Sequence, residues 1–130
     1  MALVVLDASV LIAFLDSRDA HHAAAVSALT ANRAEDLVLP ASAYAEILVA
    51  PLRRGPAAVA RVRQVMTDLT IRIAPLTSEM ADRAALMRAR HASLRLPDAL
   101  VIATGEMLGA DTVLTADRAW PRVSRRAQVI

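Results

Sequence analysis

The stretch "LVVLDAS", residues 3 to 9, decides the architecture of this chain. Four apolar residues suited to a buried strand run directly into Asp7, and an apolar helical pattern begins at about Ser9. The stretch "VLTADRAW", residues 113 to 120, repeats this arrangement at Asp117. A helix cap explains either aspartate taken alone, since Asp is favoured where a strand turns into a helix. The alternative is that both strands deliver a carboxylate to a common site.

Periodicity on either side of these stretches predicts alternating strands and helices. Strands are predicted at 2–6, 37–39, 69–74, 111–115 and 127–130, and helices at 9–15, 19–31, 42–53, 56–68, 78–93 and 97–108, with a helical turn after Asp117. Pro56 and Pro97 stand where a helix tolerates a missing N–H, and Gly109 stands where a helix ends. Short apolar strands joined by helices predict parallel pairing and an α/β three-layer fold, with a central parallel sheet flanked by helices. Residues 1–130 are expected to form a single domain.

Composition narrows the possible functions. Hydrophobic residues make up 56% of the chain, with only one Trp, one Tyr and one Phe, so the core is expected to be aliphatic and an exposed apolar patch could recruit a partner. The absence of Cys excludes thiol catalysis and disulfide scaffolds. The first apolar run is too short to span a membrane and is expected to lie in the core. All 15 basic residues are Arg, which permits nucleic-acid binding, although compositional bias of the source genome is the preferred explanation for the absence of Lys.

Two further acids lie in apolar surroundings. Glu46 is the only acid in "AYAEILVAPL", residues 43 to 52, and Asp98 is the only charge in "LPDALVIAT", residues 96 to 104. Helices so apolar are expected to be buried, and a buried carboxylate needs a hydrogen bond, a proton, a cation or a metal. The structural alternatives are a helix N-terminus for Asp98 and a narrow polar edge for Glu46.

If these four acids converge, their repulsion favours a divalent cation. Ligation by oxygen alone indicates Mg²⁺, with Mn²⁺ as a substitute, rather than Zn²⁺. Such a metal beside a phosphate activates water for phosphodiester hydrolysis.

In this order, "VVLDAS", Glu46, "LPDALVIAT" and "VLTADRAW" resemble the PIN-domain nucleases, in particular the VapC toxins of toxin–antitoxin modules. The resemblance covers essentially the whole chain. It implies a cytoplasmic, metal-dependent endoribonuclease, typically a homodimer, that cuts tRNA or rRNA and is silenced by a VapB-type antitoxin.

Carried over to this chain, the resemblance implies the following site. The catalytic and metal-binding acids are Asp7, Glu46, Asp98 and Asp117. Ser9 and Thr115 match hydroxyl positions that orient carboxylates or water, although local caps and turns explain them equally well. Arg118, or the arginine cluster at 122–126, is the candidate for steering the RNA backbone. Trp120 stands where the family often has Phe and is expected to pack in the core.

Other folds that gather acids or phosphates at strand ends fit less well. A phosphoryl-acceptor receiver domain uses a Lys, and this chain has none. A dinucleotide-binding domain would carry G-x-G-x-x-G after its first strand, and that motif is also missing. The remaining alternative is a PIN-like module that binds RNA or a protein with weak or no nuclease activity.

Overall fold

A computed structural model describes residues 1 to 130, which form a five-stranded parallel sheet flanked by helices. The strands are β1 (Leu3–Leu6), β2 (Asp36–Pro40), β3 (Arg72–Ala74), β4 (Thr112–Thr115) and β5 (Ala127–Val129). The helices are α1 (Ala8–Leu15), α2 (His22–Ala31), α3 (Ala41–Arg54), α4 (Pro56–Asp68), α5 (Ser78–Arg90) and α6 (Leu96–Met107), with a 3₁₀ turn at Trp120–Arg122. The predicted α/β fold is confirmed.

The strand order β3-β2-β1-β4-β5 creates a crevice at the centre of the sheet. From β1 the chain moves outward to β2 and β3, and it then crosses back to place β4 on the other side of β1. The connections therefore diverge between β1 and β4, which is the switch point where α/β sheets bind ligands beyond the carboxyl ends of their strands. Val5 pairs with Val113 and Leu6 with Leu114, so both strands end together.

Helix α6 packs closely against the sheet beside strand β4. The buried face of α6 includes Ala99, Ile102 and Ala103. Gly105 lies on the same helix, and a Cβ atom there would come within 2.5 Å of Val113 Cγ2 on β4. The helix ends as predicted, because Gly109 has φ +66 and the amide of Ala110 donates to the carbonyl of Gly105, as in a Schellman motif.

Three element boundaries differ from the sequence prediction by three residues, and the others by one residue at most. The residues before His22 form turns, since Asp19 accepts a hydrogen bond from the His21 amide through its side chain. The third strand begins only at Arg72, because Thr70 adopts a left-handed conformation with φ 52 after α4. Helix α5 ends at Arg90, short of the predicted residue 93.

The prediction that the Glu46 helix is mostly buried is wrong. Only Ala43 and Ile47 of α3 are buried, whereas Val49 and Leu52 are 48% and 64% exposed. Helix α3 contacts α1, α4 and α6, and no element of this chain covers its outer side. An apolar sequence therefore produced an exposed apolar face. The corresponding prediction for α6 is confirmed, since most of its central residues are buried.

No helix has both the length and the apolar character needed to cross a membrane.

Candidate metal and active site

Asp7 is the buried centre of the candidate site. It follows β1 directly, and only 7% of its surface is exposed. Its Oδ2 accepts hydrogen bonds from Ser9 Oγ at 2.6 Å and from Thr115 Oγ1 at 3.0 Å. The side chain makes no capping hydrogen bond to α1, although the amides of Ala8 and Ser9 lie near enough to lower its pKa. These hydrogen bonds fix the orientation of the Asp7 carboxylate, which does not cap helix α1.

Thr115 joins the ends of β1 and β4. Its hydroxyl donates to Asp7 and accepts a hydrogen bond from the Asp117 amide at 3.1 Å. Ser9 makes a parallel link, because its hydroxyl accepts from the Ala116 amide at 3.0 Å. The two hydroxyls thus tie the first acid to the backbone that carries the last one.

Asp117 lies at the mouth of this arrangement and is exposed. Its Oδ1 accepts a hydrogen bond from the Ala119 amide at 2.8 Å, so it caps the turn that follows β4. Asp117 therefore has a local role in a turn, and neither Asp117 nor Asp7 makes a side-chain cap to a helix.

Helices α6 and α3 carry the other two acids. Asp98 lies in the first turn of α6 with its side chain 18% exposed, and Arg95 Nε lies 3.6 Å from its Oδ2. Glu46 lies in the middle of α3 and is exposed. Helices α3 and α6 contact each other, and Glu46 lies within electrostatic reach of both Asp98 and Asp7.

The directions of the pKa shifts indicate electrostatic repulsion among the acids. Burial raises the pKa of Asp7, and its hydrogen bonds from Ser9 and Thr115 offset part of that rise. Partial desolvation and the charges of Asp7 and Asp98 raise the pKa of Glu46. Desolvation raises the pKa of Asp98, Arg95 lowers it, and the charges of Asp7 and Asp117 raise it again. Asp7, Asp98 and Asp117 each disfavour ionisation of a neighbouring acid. A bound cation would relieve this repulsion.

The donor chemistry fits a divalent cation that prefers oxygen ligands. No three acidic or histidine side chains in the structure form a group already arranged to hold a metal. Glu46 and Asp117 are exposed, and Asp117 is held only by its hydrogen bond from the Ala119 amide, whereas the hydroxyls of Ser9 and Thr115 fix Asp7. The electrostatics therefore fit a cation, and the two exposed side chains would have to rotate to ligate it.

Arg95 is the residue of this site that the sequence did not indicate. It lies just outside the apolar run that contains Asp98, yet one helical turn brings the two together. The i, i+3 spacing was the signal that would have found it. Arg118 is exposed and forms no ion pair.

The arginine cluster at 122–126 does not act as one unit. Arg122 lines a cavity that Asp98 and Asp117 also line. Arg125 and Arg126 line a different hollow with Asp111, which precedes β4 at the amino edge of the sheet. Only Arg122 of the cluster is placed to act at the candidate site.

An open parallel sheet with acids at its switch point defines an α/β protein with a charged ligand crevice. A family model of the PIN domain matches residues 4–126. The chain therefore belongs to the PIN-domain family, as the sequence motifs indicated.

Several solved structures share this fold. A toxin–antitoxin complex from Klebsiella pneumoniae has a TM-score of 0.76 and 19% identity, covering 97% of this chain and 96% of that chain. FitAcB from Neisseria gonorrhoeae has a TM-score of 0.76 and 20% identity, covering 98% and 96%. VapC20 from Mycobacterium tuberculosis, described as a sarcin–ricin loop cleaving toxin, has a TM-score of 0.70 and 20% identity, covering 85% and 86%. At these identities the likeness establishes the fold. No curated protein matches the chain significantly by sequence.

Proposed function

We propose that the protein is a divalent-metal-dependent endoribonuclease and the toxin of a toxin–antitoxin pair. The observation that carries the proposal is that Asp7, Glu46 and Asp98 lie close enough to repel one another in a PIN fold, where Asp7 follows a strand of the switch point. Such a cluster destabilises the protein unless positive charge joins it. A site that serves only to bind phosphate would carry fewer negative charges.

In this proposal Asp7, Glu46 and Asp98 hold Mg²⁺ or Mn²⁺, and Asp117 completes the site. When bound, the cation would supply the Lewis acidity that activates water and polarises a phosphodiester. Hydrogen bonds from Ser9 and Thr115 favour the charged form of Asp7 and fix its orientation.

Positive side chains beside the acids supply attraction for the RNA backbone. Arg95 lies against Asp98, and its side chain is 77% exposed, so it is free to turn toward a phosphate. Arg118 follows Asp117 and forms no ion pair within the protein. Its guanidinium is therefore available to bind a phosphate of the RNA.

The proposed partners follow from the neighbours and from the surface. Structures with this fold are described as complexes of toxins and antitoxins, and one of those proteins is described as cleaving the sarcin–ricin loop. We therefore propose structured RNA, such as tRNA or rRNA, as the substrate and a VapB-type antitoxin as the inhibitor. The exposed apolar face of α3, with Val49 and Leu52, supports a protein partner, either the antitoxin or a second copy of this chain.

The test is cleavage of hairpin RNAs and of purified tRNA and rRNA with Mg²⁺ or Mn²⁺. Asp7→Asn keeps the shape of the side chain but removes its charge, and it should lower the cleavage rate at least about 100-fold, as for other groups that act at the metal. Chelator should have the same effect on the wild type. Asp82→Asn, at an exposed position of α5, is the matched control and should cleave normally.

Mn²⁺ provides a readout that does not depend on turnover. It should raise the melting temperature of the wild type more than that of Asp7→Asn, because ligand binding stabilises only the folded state that binds it. Cleavage that survives chelation, or that Asp7→Asn retains in full, would reject the proposal. Stable RNA binding without any cleavage would instead favour a binding module.

A further inference from the structure

Three hollows of the surface run into one another between the candidate site and the opposite edge of the sheet. The first, of about 200 Å³, is the one that Asp98 and Asp117 line. A second, of about 70 Å³, shares His91 and Val123 with the first. A third, of about 660 Å³, shares a pair of charged residues with the second and lies at the amino edge of the sheet beside Asp111. Because neighbouring hollows share lining residues, they form one continuous groove that starts at the acids.

Arginines line the part of the groove beyond the acid site. These residues, the arginine track, are Arg83, Arg90, Arg125 and Arg126. Glu106 and Asp111 are the only acids in the second and third hollows, so their lining has an excess of two positive charges. The whole chain has a formal net charge of +2, so the charges outside these hollows balance. The net positive charge of the protein is therefore concentrated along the track.

Helix α5 forms one wall of the track. Arg83 and Arg90 are seven residues apart, which places them on the same face of the helix with about 10 Å between them along its axis. Leu86 and Met87 line the groove between them. Helix α5 packs against α6, which carries Asp98, so the track and the acid site belong to adjoining helices.

The arginines of the track keep donors for a ligand. Arg90 and Arg125 are exposed and form no ion pair. Arg83 donates from Nε to Glu106 at 2.9 Å, and the Arg126 guanidinium donates to the carbonyl of Ala110. A guanidinium has five N–H donors, so these two arginines also retain several. The protein thus holds two of the cations in place and leaves the other two unpaired.

We propose that the arginine track binds the phosphate backbone of the RNA that continues from the scissile bond. The inference rests on the proposed nuclease function and adds a second contact with the substrate, separate from the acids. Guanidinium groups match phosphate oxygens in charge and in shape. No Phe, Tyr or Trp lines the second or third hollow, so bases have no aromatic side chain to stack on and the backbone is the part that binds.

Continuity with the acid site favours RNA over an acidic protein segment. Both ligands carry negative charge, but the groove begins at Asp98 and Asp117, where a nuclease substrate has to pass. An acidic segment that followed the same path would meet these carboxylates without a phosphodiester to be cut.

RNA binding in chelator tests the track without cleavage. A labelled hairpin RNA is titrated with protein at several salt concentrations, and fluorescence anisotropy gives the affinity. Arg90→Gln combined with Arg125→Gln should weaken binding at low salt about tenfold, the combined effect of two exposed charge contacts. The slope of log affinity against log salt should become shallower by about 1.4 to 1.8, since each lost phosphate contact accounts for about 0.7 to 0.9. Neither arginine forms an ion pair, so the melting temperature should stay at the wild-type value.

A second double variant separates the track from net charge. Arg33→Gln combined with Arg61→Gln removes the same number of positive charges from exposed positions that line no part of the groove. It should bind the hairpin with the affinity and salt dependence of the wild type. Equal losses in the two double variants would mean that overall charge attracts the RNA, and the track would be rejected.

The remaining outcomes distinguish the track from the nuclease function. Wild-type affinity and salt slope in the Arg90 and Arg125 variant would overturn the track even if the protein cleaves RNA. Selective loss of RNA binding in that variant, in a protein that cleaves no RNA with Mg²⁺ or Mn²⁺, would support the track and reject the nuclease function. If poly-glutamate needs these arginines for binding and RNA does not, the track is a docking site for an acidic protein and the RNA assignment is wrong.

Discussion

At the scale of single residues, Thr115 has a larger role than its size suggests. Its hydroxyl donates to Asp7 and accepts from the Asp117 amide, so one side chain sets the relation between two strand ends. Thr115→Val keeps the shape and removes both hydrogen bonds. We expect cleavage to fall about 10- to 100-fold, as for other groups that orient a metal ligand.

The same variant should change the pH dependence of cleavage. The hydrogen bond from Thr115 lowers the pKa of Asp7, so its loss raises that pKa further. Ionised Asp7 then requires a higher pH, and the acidic limb of the rate profile should move upward. Thr112→Val, at the other end of the same strand, is the control and should leave the profile in place. An unchanged profile in Thr115→Val would show that the threonine does not act through Asp7.

Removing the charge of Glu46 is expected to stabilise the folded protein. Desolvation and the charges of Asp7 and Asp98 raise its pKa, so the folded protein binds this proton more tightly than the unfolded chain. Ionised Glu46 therefore destabilises the fold above its raised pKa, and this effect disappears as pH falls toward the ordinary value of 4.5. In chelator near neutral pH, Glu46→Gln should raise the melting temperature by about 2 °C, a small effect because solvent screens an exposed group.

An exposed glutamate with the opposite shift is the control for Glu46. Hydrogen bonds at the start of α5 lower the pKa of Glu79, so Glu79→Gln should lower the melting temperature at neutral pH. Destabilisation by Glu46→Gln in chelator would contradict a repulsive acid cluster.

At the scale of elements, the contact of α6 with β4 positions the acids. Gly105 lets the helix approach until a Cβ atom would lie 2.5 Å from Val113. Gly105→Ala should therefore lower the free energy of unfolding by about 1 to 3 kcal/mol through overpacking. Cleavage should fall as well, because Val113 and Thr115 belong to the same strand. Denaturant unfolding and the cleavage assay measure the two effects.

A compensating variant tests the cause of that loss. Gly105→Ala combined with Val113→Ala removes the methyl group that the new Cβ would strike, and it should recover part of the stability lost by Gly105→Ala. If the double variant loses more free energy of unfolding than the two single variants lose together, the steric explanation is wrong.

At the scale of the whole molecule, the uncovered face of α3 bears on assembly. Leu52 is 64% exposed and Val49 48%, which is unusual for neighbouring large apolar side chains on one helix. We expect the protein to sediment as a homodimer and Leu52→Asp to shift it toward monomer. Leu52→Met, which keeps an apolar side chain, should remain dimeric. A wild type that is monomeric at micromolar concentration would contradict the homodimer, and the proposed antitoxin would remain as the partner for this face.

Local patterns in the sequence predicted most of the helices and strands and pointed to the acids of the candidate site. Alternating apolar runs, the prolines at helix starts and Gly109 act within a few residues, and the structure has helices and strands close to where they were predicted. Isolation of Asp7 and Asp98 among apolar neighbours was also visible locally, and both lie in sheltered positions.

The sequence by itself therefore determined the α/β class and the strand ends at which carboxylates appear, because both depend on short-range periodicity and on the cost of burying charge. Only the tertiary structure decided which strands are neighbours, that Thr115 joins Asp7 to Asp117, and that Arg122 separates from Arg125. It also decided that α3 keeps an apolar face exposed. These features depend on contacts between residues far apart in the chain, and no local pattern records which face of an element another element will cover.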